Sequence, residues 1–114
     1  DGRPDAIVNQ TNDAWFGYSP GPFQHLHQAI VRGVEEGLPV VRVANDGISS
    51  VTGPTGRSIV RIGLGERAAV DAGLPLALPA TTYARFGEIL FFVMCGCFFF
   101  ATVMARRDAA PGGH

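Results

Sequence analysis

Residues 5–37 have the sequence DAIVNQTNDAWFGYSPGPFQHLHQAIVRGVEEG, and this stretch decides the fold class. The run Asp5–Thr11 has an apolar centre, which favours a buried strand. Turn-forming residues fill positions 12–21, so a loop follows. A helix is predicted over Gly21–Glu36, because it has a proline in its first turn and Gly37 directly after its end. A strand, a loop and a helix in this order indicate an α/β domain.

The predicted helix is amphipathic. Arg32 and Glu35 are three residues apart and are expected to pair on its flank. Gly33 is expected to weaken the helix by roughly 1 kcal/mol relative to alanine. The apolar stripe that packs on the rest of the domain is predicted to consist of Phe23, Leu26, Ile30 and Val34.

Three further strands are predicted after the helix. Val40–Ala44 is apolar on both sides of one arginine and ends in the tight turn Asn45–Gly47. Ile48–Thr52 and Arg57–Ile62 form a hairpin, because a Gly-Pro-Thr-Gly turn separates them. Glu66–Ala72 is interpreted as a further strand that leads away from the domain.

The segment Ile89–Ala105, ILFFVMCGCFFFATVMA, contains no charge and no proline and ends at Arg106 and Arg107. Its seventeen residues span roughly 25 Å as a helix, and an extension back to Phe86 reaches the ~30 Å of a hydrocarbon core. We therefore predict a transmembrane helix. The double arginine favours a cytoplasmic C-terminus, so the preceding domain is expected on the other face, the periplasm of a Gram-negative cell.

Tyr83 and Arg85 are predicted to anchor the chain at the membrane interface, where an amphipathic ring and a snorkelling arginine both fit. The predicted parts of the chain are residues 1–80, the α/β domain; 81–87, a membrane-interface linker; 88–105, the transmembrane helix; and 106–114, a cytoplasmic tail.

Composition excludes several classes of function. Hydrophobic residues make up 46% and charged residues 17% of the 114, and the formal net charge is −1. No global basic field exists for nucleic acid. All nine basic residues are arginine, so a lysine-dependent mechanism cannot be completed by these residues alone. Cys95 and Cys97 lie two apart in the apolar run, as do His25 and His27 on the helix, and neither spacing suits a metal site. No metal and no cofactor is expected.

The run Thr11–Gly17, TNDAWFG, with Gly21–His25, GPFQH, resembles the apolipoprotein N-acyltransferases, bacterial inner-membrane enzymes with a periplasmic nitrilase-like domain. The resemblance continues through Arg32, Glu35, the strand and turn from Arg42 to Ser49, and Thr82–Gly87 before the apolar segment. It therefore covers nearly the whole chain. The first run is quite specific, whereas the arginine-glutamate pair and the turn occur more widely among nitrilase-like proteins.

The resemblance implies a fold and a reaction. The fold would be an α-β-β-α sandwich, of which residues 1–80 form the C-terminal part, followed by one transmembrane helix. In the reaction, a cysteine thiolate takes an acyl chain from a phospholipid and passes it to the α-amino group of a diacylglyceryl-cysteine on an apolipoprotein. The implied partners are this phospholipid donor and this acceptor, and the full-length enzyme is expected to be a membrane-embedded monomer.

The family's catalytic cysteine, glutamate and lysine match no position in the chain. The resemblance puts all three upstream of Asp1, so the chain is expected to be a C-terminal fragment that is inactive by itself. It is also expected not to fold alone, because half a sandwich would leave a long sheet edge and a hydrophobic face uncovered. Cys95 and Cys97 are not substitutes, because they lie in the apolar segment away from any base.

The chain is expected to contribute one wall of the substrate pocket. Trp15 and Phe16 would shape the side that faces the acyl chain, while Asn12 and Asp13 fix their loop by side-chain bonds to the backbone. The alternative is core packing for the aromatics and an ordinary turn for the two polar residues. Gln24 and His25 lie at the start of the helix beyond this loop and are further pocket candidates. His25 could transfer protons, but a polar residue in a first helical turn more often caps the helix or bonds to the loop.

Four residues are expected to be structural. Arg32 and Glu35 would tie the helix to neighbouring backbone. Asn45 and Gly47 would form a backbone device in which the glycine permits a positive φ.

Two other interpretations stay open. In one, the chain is part of a different nitrilase-superfamily member, a soluble amidase or nitrilase, in which residues 90–104 would be buried or would contact another subunit. The chain is also compatible with a membrane-anchored nitrilase-like module that has no catalytic activity.

Overall fold

The fold was obtained as a computed structural model, which describes residues 2–108. The chain divides into two compact units, of which one ends at Ala84 and the other begins at Arg85. The helices and strands are β1 (Ile7–Asn12), α1 (Gly21–Glu36), β2 (Val40–Asn45), β3 (Ser49–Thr52), β4 (Ser58–Ile62), α2 (Thr82–Phe86) and α3 (Ile89–Asp108), with a short 3-10 turn at Ala14–Phe16.

The first unit contains a four-stranded mixed sheet in the order β1-β2-β3-β4. β1 and β2 are parallel, with Asn9 opposite Arg42, and α1 forms the connection between them. β2, β3 and β4 are antiparallel neighbours, joined by short turns. The predicted α/β class, the strand-loop-helix unit and the hairpin are thereby confirmed.

Helix α1 ends where the sequence predicts. Gly37 adopts the left-handed conformation (φ 68°), and its backbone N–H bonds to carbonyl groups of the last turn. The predicted apolar stripe is only partly correct, because Phe23 and Val34 are exposed among the described residues. Leu26 is buried as predicted, and the other buried positions of the helix are Pro22 and Gly33. A close approach explains this difference, since a Cβ on Gly33 would lie 2.8 Å from the carbonyl oxygen of Leu38 and would strike Val40.

The two faces of the sheet differ in their environment. Side chains alternate between half-buried and exposed along β1, whereas the first three residues of β2 alternate between buried and half-buried. The face toward α1 carries Asn9, Thr11, Val40 and Arg42. On the other face, strand pairing puts four valines in one row across the sheet, Val8, Val41, Val51 and Val60.

The predicted strand at Glu66–Ala72 is wrong. This segment has no strand pairing, and its residues are exposed. The Glu66 carboxylate instead accepts a hydrogen bond from the backbone N–H of Gly63 at 2.8 Å, which turns the chain directly after β4. Val70 lies beside Val41, Val51 and Val60, where it lines a small cavity on the valine face.

The segment directly before α2 and the N-terminal Arg3 are hydrogen-bonded to the end of α1. The Leu78 N–H donates to the Gly37 carbonyl at 2.8 Å. The Thr81 hydroxyl donates to the carbonyl of Glu35, and the Arg3 guanidinium donates to those of Glu36 and Leu78. These bonds satisfy carbonyl groups that the helix end leaves free.

In the second unit, α3 covers the predicted transmembrane segment and continues to Asp108. Among the described helices, it is the one long and apolar enough to cross a membrane, by length and composition. Arg106 and Arg107 lie in its last turn. The predicted cytoplasmic tail falls mostly on residues 109–114, outside the described residues.

Candidate functional site

Asp13 is the centre of a polar cluster at the carboxyl end of β1. Its side chain has no exposed surface. One carboxylate oxygen, Oδ2, accepts a hydrogen bond from Arg42 Nη2 at 2.7 Å. The other, Oδ1, accepts from the Thr11 hydroxyl at 3.1 Å and lies 2.9 Å from His25 Nδ1. The backbone N–H of Asp13 donates to the Asn45 carbonyl at 2.9 Å, so the loop is held at its first residue.

Arg42 joins three parts of the first unit. Its side chain is fully buried, and its guanidinium donates to Asp13 and to Asn9 Oδ1, which lies opposite Arg42 in the paired strand. Its Nε donates to the Ile48 carbonyl at 3.2 Å. A guanidinium presents several donors in a fixed planar arrangement, so one side chain can fix β1, the loop after it and the turn after β2.

The pKa of the Asp13 carboxyl lies below its ordinary value. Burial acts in the opposite direction, because it disfavours the charged form. The hydrogen bond with His25, the positive charge of Arg42 and the bond from Thr11 outweigh burial. Asp13 is therefore a carboxylate at neutral pH and forms a buried ion pair with Arg42.

His25 lies between the loop and the helix. Its ring approaches Phe16 edge-on, with ring centroids 5.9 Å apart, while its Nδ1 faces Asp13. A hydrogen bond to the carboxylate favours the tautomer with its proton on Nδ1. His25 also lines an open cleft of about 420 Å³ between α1 and β1, together with Asn9, Gln28, Arg32, Glu35 and Arg42.

The turn after β2 differs from the prediction. The positive φ belongs to Asp46 (φ 48°), not to Gly47. Gly47 is required for another reason, because a Cβ there would lie 2.5 Å from Asp13 Oδ2. Asn45 donates its side-chain amide to Asn12 Oδ1 at 3.2 Å. The two loops at the carboxyl ends of the parallel strands are thus in direct contact.

The aromatic residues of the loop are exposed. Trp15 is 89% and Tyr18 90% exposed among the described residues, and Phe16 about half as much. Phe16 nevertheless contacts the start of α1, since a Cβ on Gly21 would overlap its ring. Core packing within the described part of the chain therefore does not explain Trp15.

Asn12 and Asp13 use their side chains differently. The Asn12 Oδ1 accepts the backbone N–H of Ala14 at 3.1 Å, which is a bond from side chain to backbone of the predicted kind. The side-chain bonds of Asp13 go instead to other side chains, those of Thr11, His25 and Arg42. The predicted role of Asp13 as a local turn former is therefore too narrow.

The remaining candidates form no hydrogen bond to this cluster in the described part of the chain, although Arg32 and Glu35 border the same cleft as His25. Gln24 is exposed in the first turn of α1. Arg32 pairs with Glu35 at 3.0 Å, and the Tyr83 hydroxyl, followed by the Glu35 charge, raises the pKa of Arg32 above its ordinary value. Arg85 is exposed at the end of α2. Among residues 2–108, no group of three or more histidine, cysteine or acidic side chains is arranged to hold a metal ion.

Sequence reasoning missed Arg42 and Asn9 as members of the cluster. One signal was available, since Arg42 is the single charged residue in the apolar run Val40–Ala44, and an arginine inside a strand is rarely buried without a partner. Its partner Asp13 lies 29 positions away. The pairing follows from the register of the parallel strands, which the pattern alone does not give.

A mixed sheet with a covering helix, and polar loops meeting at the carboxyl ends of its parallel strands, define an α/β domain with its site at this edge. Comparison with known proteins identifies the family. Residues 3–83 match the carbon-nitrogen hydrolase family, and the chain belongs to it. The resemblance inferred from the sequence is confirmed.

The chain is also similar to curated proteins named apolipoprotein N-acyltransferase. It is 56% identical over 87 residues to the one from Bradyrhizobium diazoefficiens, a match that covers 76% of this chain and 16% of that protein. For Rhodopseudomonas palustris the identity is 44% over 110 residues, covering 96% and 20%. For Rickettsia bellii it is 49% over 86 residues, covering 75% and 17%. The chain thus spans a fifth or less of the length of these relatives.

Proposed function

We propose that this chain is the C-terminal part of an apolipoprotein N-acyltransferase and that it forms one wall of the acyl-binding pocket. The observation that carries the proposal is the exposed Trp15 on a turn fixed to the carboxyl end of β1. The names of the relatives and the apolar helix α3 support it, because the acyl donor of such an enzyme is a lipid.

The reaction transfers an acyl group in two steps. A cysteine thiolate attacks the ester carbonyl of a phospholipid, a thioester forms and the lysophospholipid alkoxide leaves with a proton from a general acid. The α-amino group of the diacylglyceryl-cysteine then attacks the thioester, an amide forms, the amine loses its proton and the thiolate is released. The cysteine, its carboxylate base and the lysine that stabilises the oxyanion come from outside these residues. Cys95 and Cys97 lie on α3 and take no part.

Within this reaction, Trp15 and Phe16 contact the acyl chain. Asn12 and Asp13 hold their turn, and His25 supports it from α1. Gln24, at the start of the same helix, borders the pocket. Arg32, Glu35, Asn45 and Gly47 keep the helix and the second loop in place.

The valine face of the sheet packs on a second sheet in this proposal, which completes an α-β-β-α sandwich. Val8 is 68% exposed and Val43 about half exposed among the described residues, although both belong to strands. A contiguous apolar sheet face is stable in water only when another layer covers it.

The membrane placement completes the proposal. The helix α3 spans the inner membrane with Arg106 and Arg107 on the cytoplasmic side, and the α/β unit lies in the periplasm. Tyr83 and Arg85 lie at the interface. The domain would end near residue 80 and the linker near residue 87.

The test is acyl transfer by the full-length enzyme. Mixed micelles of phosphatidylethanolamine and a synthetic diacylglyceryl-cysteine peptide are incubated with the enzyme, and the N-acylated peptide is measured by mass spectrometry. We expect Trp15→Ala to lower kcat/KM for the phospholipid at least tenfold. Leu76→Ala is the matched control, because Leu76 is 90% exposed but lies in the segment between β4 and α2, and it should leave the rate unchanged.

Three results would each contradict one part of the proposal. The pocket role of Trp15 fails if Trp15→Ala transfers acyl groups as fast as the unmodified enzyme. The assignment to acyl transfer fails if the full-length enzyme forms no N-acylated peptide but hydrolyses short amides, and extraction by carbonate without detergent would remove the membrane placement.

A further inference from the structure

We propose that Arg42 and His25 are positioning residues, which hold the turn Asp13–Phe16 at both ends and thereby present Trp15 to the acyl chain. This inference rests on the proposed function for its substrate, but the geometry of the turn is independent of it.

The turn is fixed at its first residue by the Asp13 carboxylate. Arg42 binds one of its oxygens, and Thr11 and His25 bind the other. The Asp13 carbonyl also accepts the backbone N–H of Phe16 at 3.0 Å, so the two ends of the turn are linked to each other. A carboxylate with partners on both oxygens has little freedom to change its rotamer.

The turn is fixed at its last residue by the Phe16 ring. That ring lies over Gly21 at the start of α1 and contacts the His25 ring edge-on. His25 therefore touches both Asp13 and Phe16. Trp15 lies between these two held positions, and its side chain is directed outward with 89% of its surface exposed.

An exposed tryptophan on a well-held turn is more suited to binding than an exposed tryptophan on a mobile loop. The backbone that carries its ring is already held in one conformation, so less entropy is lost when a partner binds. The buried ion pair is also weak evidence for a role in stability, since a packed apolar pair in its place is often as stable. Fixing the turn gives Arg42 and Asp13 a function that packing alone does not supply.

A double-mutant cycle tests the positioning role in the full-length enzyme. The variants are Arg42→Lys, Trp15→Ala and their combination, assayed by acyl transfer from phosphatidylethanolamine well below their unfolding temperatures. Lysine keeps the charge of Arg42 but not its planar set of donors. We expect Arg42→Lys to lower kcat/KM for the phospholipid at least tenfold alone, but less than twofold when Trp15 is already alanine. Arg57→Lys is the control, since Arg57 is exposed in the hairpin turn, and it should have no effect.

Chymotrypsin provides a readout that needs no activity. Trp15, Phe16 and Tyr18 are cleavage sites in or next to the turn, and the fragments are identified by mass spectrometry. Arg42→Lys should increase cleavage at these sites at least fivefold, while cleavage elsewhere in the first unit stays the same, because local opening differs from global unfolding. His25→Ala should act in the same way, and it serves as the test if Arg42→Lys does not fold.

Two outcomes would overturn the positioning role. One is an additive cycle, in which Arg42→Lys lowers kcat/KM equally with and without Trp15. The other is faster cleavage at all sites together, or at none. If Trp15→Ala alone leaves acyl transfer intact, the pocket assignment fails, and the protease pattern still decides whether Arg42 holds the turn.

Discussion

The two faces of the sheet have opposite chemistry. The face under α1 buries an ion pair, Asp13 with Arg42, and the face on the other side leaves valines such as Val8 exposed among the described residues. If burial of apolar side chains alone stabilised the sheet, the valines would be buried and the charged residues exposed. The difference indicates two separate tasks. The polar face fixes the geometry of a loop, and the apolar face provides the area for contact with another layer.

Breaking the ion pair on the polar face has the largest expected effect. Arg42→Met leaves the Asp13 carboxylate buried without its cation, so we expect it to lower the free energy of unfolding by about 3–5 kcal/mol. Arg42→Met combined with Asp13→Leu removes both charges and should cost clearly less. Chemical denaturation of the full-length enzyme in detergent measures both.

The difference in stability between these two variants shows whether the unpaired charge of Asp13 causes the loss. If the double variant is as unstable as Arg42→Met alone, the cost comes from lost packing of the long arginine side chain and not from an unpaired charge. If Arg42→Met lowers the free energy of unfolding by less than about 1 kcal/mol, a second cation balances the Asp13 carboxylate in the full-length protein, and Arg42 is not its essential partner.

The apolar face is tested by a charge at its most exposed valine. Val8→Asp should destabilise the full-length enzyme by about 2–3 kcal/mol if a second sheet covers this face, because the carboxyl group would be buried without a partner. This exceeds the roughly 1 kcal/mol span of strand preferences. Leu76→Asp is the control, and as a surface change in the segment between β4 and α2 it should change the free energy of unfolding by no more than about 0.5 kcal/mol.

If Val8→Asp lowers the free energy of unfolding by no more than the roughly 1 kcal/mol of strand preferences, no other layer covers the valine face. The sandwich would then be wrong for this chain, although the polar cluster on the other face would be unaffected. The measurement is the unfolding midpoint in detergent, with an unchanged denaturant slope as evidence that the compactness of the native state is the same.

The elements of this fold were predictable where local chemistry sets their ends. A proline in the first turn and a glycine after the last turn fix the two ends of α1, and short turns delimit the hairpin. The composition of Glu66–Ala72 permits a strand, and so the prediction for this segment was wrong. In the structure, the Gly63 N–H donates a hydrogen bond to the Glu66 carboxylate, and the chain turns away from the sheet there. Hydrogen bonds of this kind are not visible in a pattern of apolar residues.

The candidate site was predictable only as a list of residues. The motif that contains Asp13 was found from the sequence, but its central contact with Arg42 depends on the parallel register of β1 and β2. The prediction that Gly47 adopts a positive φ was wrong for a similar reason. A side chain at position 47 would clash with Asp13 of the other loop. Such a contact between residues distant in sequence depends on the folded structure.

The substitution Gly33→Ala has the smallest expected effect on stability. Its sign depends on two opposing contributions to the free energy of unfolding. Replacing it by alanine gains about 1 kcal/mol of helix preference. The added methyl group would also lie 2.8 Å from the Leu38 carbonyl and would strike Val40, and overpacking of this kind costs about 1–3 kcal/mol. We therefore expect Gly33→Ala to lower stability by about 1 kcal/mol, whereas His27→Ala at an exposed position of α1 should raise it by a few tenths.

A second substitution identifies which contact is responsible. Val40→Ala removes the side chain that the new methyl group would strike, although it costs stability by itself because Val40 is buried. If the contact with Val40 dominates, Gly33→Ala should become stabilising in the Val40→Ala background, since the helix preference is then unopposed. If it remains destabilising there, the Leu38 carbonyl is the limiting contact, and the backbone after α1 fixes the distance between the helix and the polar face of the sheet.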